Sequence, residues 1–379
     1  MGSRFYFDLA SEQDDPELRA LMAEGVMEGD IAITFRREPS YFKGVCVYGD
    51  CNQVIKCVDT RTQRVVGLGC RSTSSAYIDG AARRVGYLSD LRSVPEIRRG
   101  TLLARGFGYL RQLHEADPVQ FYFCVMYEGN SVAVDNLVGG RAGLPAFREF
   151  GRVLTPALHL DFPKGPLRLE GVSVERAKPQ QMPAIVRFLN EWQRHKQLAP
   201  VYREADFGVG AAARRFAGLR AEDFLLALRE GEIVGTIAAW DQHSFRQTHV
   251  ERYSRRLALV RPLYNLASSL TPLKALPRAG ARIPFLYFSC MCAYEHDTDI
   301  LRVLLRAMYN STRSGPWHYA IVGLHEADPY ARLLQEYRRI EAAGRVFIVH
   351  YPPGSGDVPA LLDAQRQESQ RTYVEVACI

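Results

Sequence analysis

The sequence predicts an α/β (α+β) protein of two consecutive domains, each a mixed, mostly antiparallel sheet flanked by helices. Three observations predict it. At 379 residues the chain exceeds one typical domain. Apolar, β-prone runs alternate with segments whose leucines recur at helical spacing. The alternation breaks at Asp161-Phe162-Pro163-Lys164-Gly165-Pro166, a linker-like stretch, and then begins again. The expected boundaries are 1–160, a linker over 161–168, and 169–379.

The first half reads in order as follows. Arg4 to Leu9 alternates as a strand, and Ser11 to Gly25 reads as a helix with acids at its start and Leu18, Leu21 and Met22 on one face. Ile31 to Phe35 is a strand, followed by the turn Arg36-Arg37-Glu38-Pro39-Ser40-Tyr41-Phe42 and a short helix. Cys51 to Asp59 and Arg64 to Ile78 form a hairpin. Val85 to Val94 is a strand that Pro95 stops, because proline has no N–H for a ladder. The turn Ile97-Arg98-Arg99-Gly100-Thr101 then leads into a helix on which Leu102, Leu103, Phe107, Leu110 and Leu113 share a face. Val119 to Tyr127 is an apolar, buried strand, Asn130-Ser131-Val132-Ala133 opens another helix, and Phe147 to Leu154 closes the sheet.

The second half repeats the order. Leu169 to Arg176 is a strand and Met182 to Trp192 an amphipathic helix. Phe224 to Arg229 and Ile233 to Trp240 form a hairpin, and Arg255 to Ser269 is an inserted helix. Pro284 to Met291 is a strand, Ile300 to Tyr309 a helix, Tyr319 to Leu324 a strand and Pro329 to Ala342 a helix. Val346 to Tyr351 and Tyr373 to Cys378 are expected to close this second sheet.

Composition narrows the function classes. Hydrophobic residues make up 47% and charged residues 24%, ordinary for a globular protein with a sizeable core. The net charge of +6 is mild, and no dense basic block advertises nucleic acid. The N-terminus MGSRFYFDLA lacks an apolar signal core, and no run reaches membrane-spanning length. Eight scattered cysteines without such a signal imply free thiols in a reducing cytoplasm. Cys290 and Cys292 share a face of one strand, but with no second pair nearby zinc is not expected. Neither nucleic acid nor membrane is an expected partner.

The stretch from Val85 to Leu113 carries the chemistry. A strand, a basic glycine turn and a helix place unpaired N–H groups, a favourable dipole and two guanidinium groups at one corner, which suits a phosphate. The ordinary alternative is a solvated connection.

In its order of elements and in Asp90-Leu91-Arg92-Ser93-Val94-Pro95-Glu96-Ile97-Arg98-Arg99-Gly100-Thr101-Leu102-Leu103, followed by a strand and Asn130-x-x-Ala133, the first half resembles the GNAT superfamily of N-acetyltransferases. The second half is weakly similar to a degenerate copy. The resemblance implies that the central fourth and fifth strands of the sheet splay, that Leu91, Arg92, Ser93 and Val94 pair with the pantetheine of acetyl-CoA or another acyl-CoA, and that Arg98, Arg99, Gly100, Thr101, Leu102 and Leu103 hold its pyrophosphate. The family's loop pattern, begun at Arg98, puts Thr101 and Leu103 at glycine positions.

It further implies transfer of an acetyl group to an amine of a small molecule or peptide. Candidate bases are Asp90 and Glu128; Tyr127 is the candidate acid, because no tyrosine stands near Asn136 in the following helix. Asn130 either caps that helix or touches the cofactor. Arg36, Arg37 and Tyr41 lie where the family shapes its acceptor cleft, and by their own character read as a charged surface turn. In the second half, Glu295, Asp297 and Asp299 stand where a phosphate loop would be, and carboxylates there would repel a pyrophosphate. That half is expected to lack a cofactor and to wall the cleft or form a homodimer interface. Two other classes remain open: a non-catalytic acyl-CoA sensor or scaffold, and an aminoacyl-tRNA-dependent transferase.

Overall fold

A computed structural model describes residues 3–97, 101–139, 142–209, 214–351 and 371–379. Its first part runs β1 (Phe5–Leu9), α1 (Asp15–Ala23), β2 (Val26–Met27), β3 (Ile31–Arg36), α2 (Tyr41–Val45), β4 (Cys51–Asp59), β5 (Arg64–Ile78), β6 (Ala81–Ser93), α3 (Leu102–Ala116), β7 (Tyr122–Tyr127), α4 (Ser131–Leu137), β8 (Ala146–Leu154) and β9 (Ala157–His159). Its second runs β10 (Ser173–Arg176), α5 (Met182–Gln193), β11 (Lys196–Gln197), β12 (Phe207–Gly208), β13 (Phe216–Ala217), β14 (Phe224–Arg229), β15 (Glu232–Trp240), β16 (Gln247–Tyr253), α6 (Arg255–Ser268), β17 (Phe285–Ala293), α7 (Thr298–Thr312), β18 (Tyr319–Val322), β19 (Leu324–His325), β20 (Arg339–Ile340), β21 (Ala343–His350) and β22 (Arg371–Thr372).

Two large sheets result. The first has the order β1-β4-β5-β6-β7-β21-β8-β19 and the second β10-β14-β15-β17-β18-β9-β20. Each has one parallel pair at its centre, β6 with β7 and β17 with β18, among otherwise antiparallel neighbours. The expected mixed, mostly antiparallel sheets are present in both halves.

The sheets exchange strands. β21, expected to close the second sheet, lies in the first, between β7 and β8. β9 lies in the second, between β18 and β20. β21 fits its slot because alternate residues face two packed layers. Val346 and Ile348 join the large cluster shared by both sheets, and Phe347 and Val349 join the cluster under α3 and α4.

Two further expectations are corrected. Pro329 to Ala342 is a short 3-10 helix over Pro329–Glu336 and then β20, not one helix. Tyr373 to Cys378 is largely not strand: it follows β22 and ends in a 3-10 turn over Val376–Cys378. Its apolar residues are buried for a different reason, given below.

The helices form as their periodicity requires. Asp297 caps α7 by accepting from the amides of Asp299 (2.8 Å) and Ile300 (3.3 Å), and Ile300, Leu301, Leu304, Leu305 and Met308 bury one face. Phe107 and Leu110 anchor α3 against the first sheet. Cys290 and Cys292 pack into the large shared cluster while Met291 and Ala293 face the other layer, so both thiols share a face. Among the described residues no group of three or more His, Cys, Asp or Glu could hold a metal ion.

Candidate active site

The site is built around a gap. β6 and β7 pair only at Gly86↔Tyr122 and Tyr87↔Phe123. Beyond Tyr87, β6 stays with β5 as far as Ser93↔Gly67, while β7 turns to β21 through Tyr127↔Gly344. The two central strands therefore diverge into a wedge, and β7 offers no partner to residues after Tyr87.

The cause of the divergence is a bulge. Leu68 faces Arg92 and Cys70 faces Ser89, so Asp90 and Leu91 oppose the single residue Gly69. Asp90 takes the left-handed conformation, φ 53°, which Asp tolerates better than most residues. Such a bulge bends its strand and ends pairing with the neighbour. At the closed end of the wedge, Gly86 lets the buried Tyr122 ring pass: a Cβ there would stand 2.0 Å from Tyr122 Cδ1.

The bulge also aims Asp90 inward. Its Oδ2 accepts from the Tyr41 hydroxyl at 3.0 Å and from the Tyr48 hydroxyl at 3.2 Å, and its Oδ1 stands 3.7 Å from Arg37 Nη2. Arg37 Nη2 also donates to Tyr48 Oη at 2.7 Å. Arg37, Tyr41 and Tyr48 are buried. The turn that reads as a charged surface loop is thus an interior cluster for Arg37 and Tyr41, because Asp90 arrives from a strand about fifty positions on in the chain to balance the guanidinium. Arg36 instead pairs with Glu251 at 2.9 Å. Burial opposes the charge on Arg37, but Tyr48 and Asp90 outweigh it and hold its pKa above the usual value. Burial pushes the Tyr48 hydroxyl up to about 12, with Arg37 pulling the other way, and raises Tyr41 well above its ordinary range.

The other sequence candidates are placed as follows. Leu91 is exposed, Arg92 and Ser93 follow at the end of β6, and Val94 lies just past it. Arg98, Arg99 and Gly100 lie outside the described residues. Thr101 is the N-cap residue of α3, so Leu102 and Leu103 contribute first-turn amides, and the first bond of the helix runs from Arg105 N to Thr101 O at 3.0 Å. Glu128 ends beyond β7, where its Oε2 accepts from Arg152 Nη2 at 3.1 Å. That bond lowers its pKa below the ordinary range, which makes it a weaker proton acceptor. Tyr127 is partly exposed at the end of β7. Asn130 caps α4 through Oδ1, which accepts from Ala133 N at 3.1 Å.

The second sheet holds the same device, filled. β17 carries a register break opposite β15, and Cys290 has φ 51°. The repeat is visible in sequence once it is sought: Tyr87-Leu88-Ser89 matches Tyr287-Phe288-Ser289 in type, with Asp90 and Cys290 at the same spacing, and sequence reasoning missed it. Here the bulge amide is occupied, since Cys290 N donates to Glu375 Oε2 at 2.9 Å. Val376 fills the gap after β18, where a Cβ on Gly323 would lie 2.0 Å from Val376 Cγ2. Arg246 and Gln242 hold the Ala377 carbonyl at 2.9 and 2.8 Å. Residues 373–378 thus plug the second wedge, which explains their burial without strand structure. Arg246 then spans the two halves, its guanidinium 5.4 Å from the Tyr48 ring centroid. A cavity of about 300 Å³ is lined by Arg176, Asp223, Ala239, Asp241 and Trp317.

The splayed parallel pair, the bulge and the flanking helices can be set beside known structures. One match is a GCN5-related N-acetyltransferase from Sphaerobacter thermophilus, with a TM-score of 0.55 at 12% identity over 94% of this chain and 99% of that one. The chain has the GNAT fold. GNAT-fold matches extend to Saccharomyces cerevisiae N-myristoyltransferase with bound myristoyl-CoA, with a TM-score of 0.60 at 10% identity over 93% of this chain and 84% of that one. A probable N-acyltransferase from Enterococcus faecalis V583 aligns at a TM-score of 0.51 and 8% identity over 91% and 72% of the two chains. No protein-family model matches the sequence, and no curated protein matches it. The GNAT fold is therefore established here by three-dimensional arrangement.

Proposed function

We propose that the chain is an acyl-CoA-dependent N-acyltransferase, moving an acyl group, acetyl in the simplest case, directly from the thioester to an amine of a small molecule or peptide. The observation that carries this reading is the wedge, with β6 and β7 joined only at Gly86↔Tyr122 and Tyr87↔Phe123. An extended thioester arm can add to the side of β6 from which β7 diverges as a further strand would, which holds the reacting carbonyl in register. Structural neighbours that act on or bind acyl-CoA support it.

In this reading residues 1–160 are the acyl-CoA half, 161–168 the linker, and 169–379 a second half without cofactor. Leu91, Arg92, Ser93 and Val94 receive the pantetheine. Arg98, Arg99, Gly100, Thr101, Leu102 and Leu103 receive the pyrophosphate. The amine nitrogen attacks the thioester carbon, the C–S bond breaks, CoA leaves as thiolate, and the amine's proton must depart. Asp90 and Glu128 are the two proposed bases: Asp90 accepts from Tyr41 and Tyr48 beside the buried Arg37, and Glu128 accepts from Arg152 at the end of β7. Tyr127, at the end of β7, is the proposed acid for the thiolate.

Isothermal titration with acetyl-CoA and with myristoyl-CoA tests the site and its acyl preference. The Arg98→Ala/Arg99→Ala variant should bind either ligand roughly ten- to a hundredfold more weakly, as expected for the loss of charge-assisted bonds. Thiol release with a panel of amines tests turnover. Absence of binding to any acyl-CoA by the natural chain would sink the reading.

A further inference from the structure

α6 is inside out. Leu259, Leu263 and Leu266 lie at helical spacing on one face and are 80%, 70% and 65% exposed. Val260 beside them and Leu270 just past the helix end are exposed too, and no residue of α6 is buried. The face against the protein carries Arg261, Asn265 and Ser268 beside the half-buried Leu257 and Tyr264. Asn265 Nδ2 donates to Leu276 O at 3.1 Å and its Oδ1 accepts from Leu276 N at 2.8 Å. Arg261 Nε donates to the same carbonyl at 3.3 Å, and its guanidinium lies 5.5 Å from the Tyr253 ring centroid. A surface helix of a globular protein has the reverse arrangement. Single exposed leucines are ordinary, but a contiguous stripe marks a contact surface.

Charge identifies what the surface meets. Residues 255–282 contain Arg255, Arg256, Arg261, Lys274, Arg278 and Arg282 and no Asp or Glu. This segment carries six positive charges against a net +6 for the whole chain, so the rest is neutral by count. Arg255 and Arg256 are exposed in the first turn of α6, and Arg278 and Arg282 are exposed on the returning arm. A two-fold contact between copies would set these cations against their own equivalents. A bilayer rich in anionic lipid accepts the leucines below its headgroups and the cations among them.

We propose that α6 and its returning arm dock in the plane of an anionic membrane surface. Among the described residues no helix is long and apolar enough to cross a membrane, and an interfacial helix needs no such length. α6 follows β16, which pairs along β3, the strand leading to Arg37 and α2. The docked face is thus one short sheet from the Arg37–Asp90 cluster.

Co-sedimentation of the full chain with vesicles tests this without any assay of activity. Vesicles of equal parts phosphatidylglycerol and phosphatidylcholine should bind it, pure phosphatidylcholine should not, and added salt should release it. Arg255→Gln/Arg256→Gln should weaken binding about fivefold per charge removed. Leu259→Ser/Leu263→Ser should abolish binding and leave the thermal transition in place, since both side chains are exposed. Equal binding to both vesicle types overturns the proposal. So does a dimer in sedimentation velocity that the leucine variant splits while vesicles of either kind stay bare, because a second copy then covers the stripe.

Discussion

Arg37 Nη2 stands 3.7 Å from Asp90 Oδ1, with only 6% and 10% of the two side chains exposed. Tyr48 bridges the pair, and Tyr41 donates to the same carboxylate. This cluster joins the bulge that opens the wedge to the turn before α2. Removing one charge strands the other in the interior.

Asp90→Asn should therefore destabilise the protein by about 3 kcal/mol in urea unfolding. Asparagine accepts the left-handed backbone at this position, so the loss reports the charge and not the bulge. Adding Arg37→Met should recover part of the stability. A double variant whose cost equals the sum of the singles would mean that the two side chains do not couple.

Gly86→Ala places a methyl against the Tyr122 ring, whose hydroxyl is fixed by Arg71 Nε at 2.8 Å and bonded to His114 Nδ1 at 3.0 Å. The ring has little room to yield. A loss of about 1–3 kcal/mol is expected in thermal or urea unfolding, together with weaker acyl-CoA binding as β7 shifts. Unchanged stability and affinity would show that the closed end of the wedge has slack.

Glu375 is buried, and burial raises its pKa above the ordinary 4.5, with partial relief from the Tyr373 hydroxyl at 2.6 Å and the Cys290 amide. A carboxyl whose folded pKa is raised favours folding when protonated. Its contribution is full below the unfolded pKa and is lost as pH rises through the folded one. Glu375→Gln keeps an acceptor for both donors and removes that loss. The variant should melt higher than the natural chain at neutral pH, with the gap closing as pH falls below 4.5. A gap that stays constant across the range would place the effect elsewhere.

β7 and β8 are joined only through β21, which comes from the far end of the chain. A fragment of residues 1–160 would expose the apolar slot that Phe347 and Val349 fill. Expressed alone it should aggregate or lack a cooperative transition, and co-expression with the remainder should rescue it. Independent, cooperative folding of the fragment, read by circular dichroism, would contradict the strand exchange.

Local pattern made much of this protein legible. The strand–turn–helix unit from Val85 to Leu113, the hairpin of β4 and β5, and α5, α6 and α7 follow from periodicities and breakers that act within a few residues of each other. Asp297, read among the acids that stand where a phosphate loop would be, caps α7 in the structure. Partners distant in sequence were another matter. Whether β21 pairs with the first sheet or the second depends on which slot its two apolar faces fit, and both sheets offer apolar layers. Arg37 is interior only because Asp90, turned inward by a bulge, meets it. The apolar run before Cys378 looks like a strand but is a plug. Residue order alone determined most of the strands and helices, with Pro329 to Ala342 and Tyr373 to Cys378 the exceptions; tertiary packing decided which strands meet, because pairing energy depends on complementary faces brought together from opposite ends of the chain.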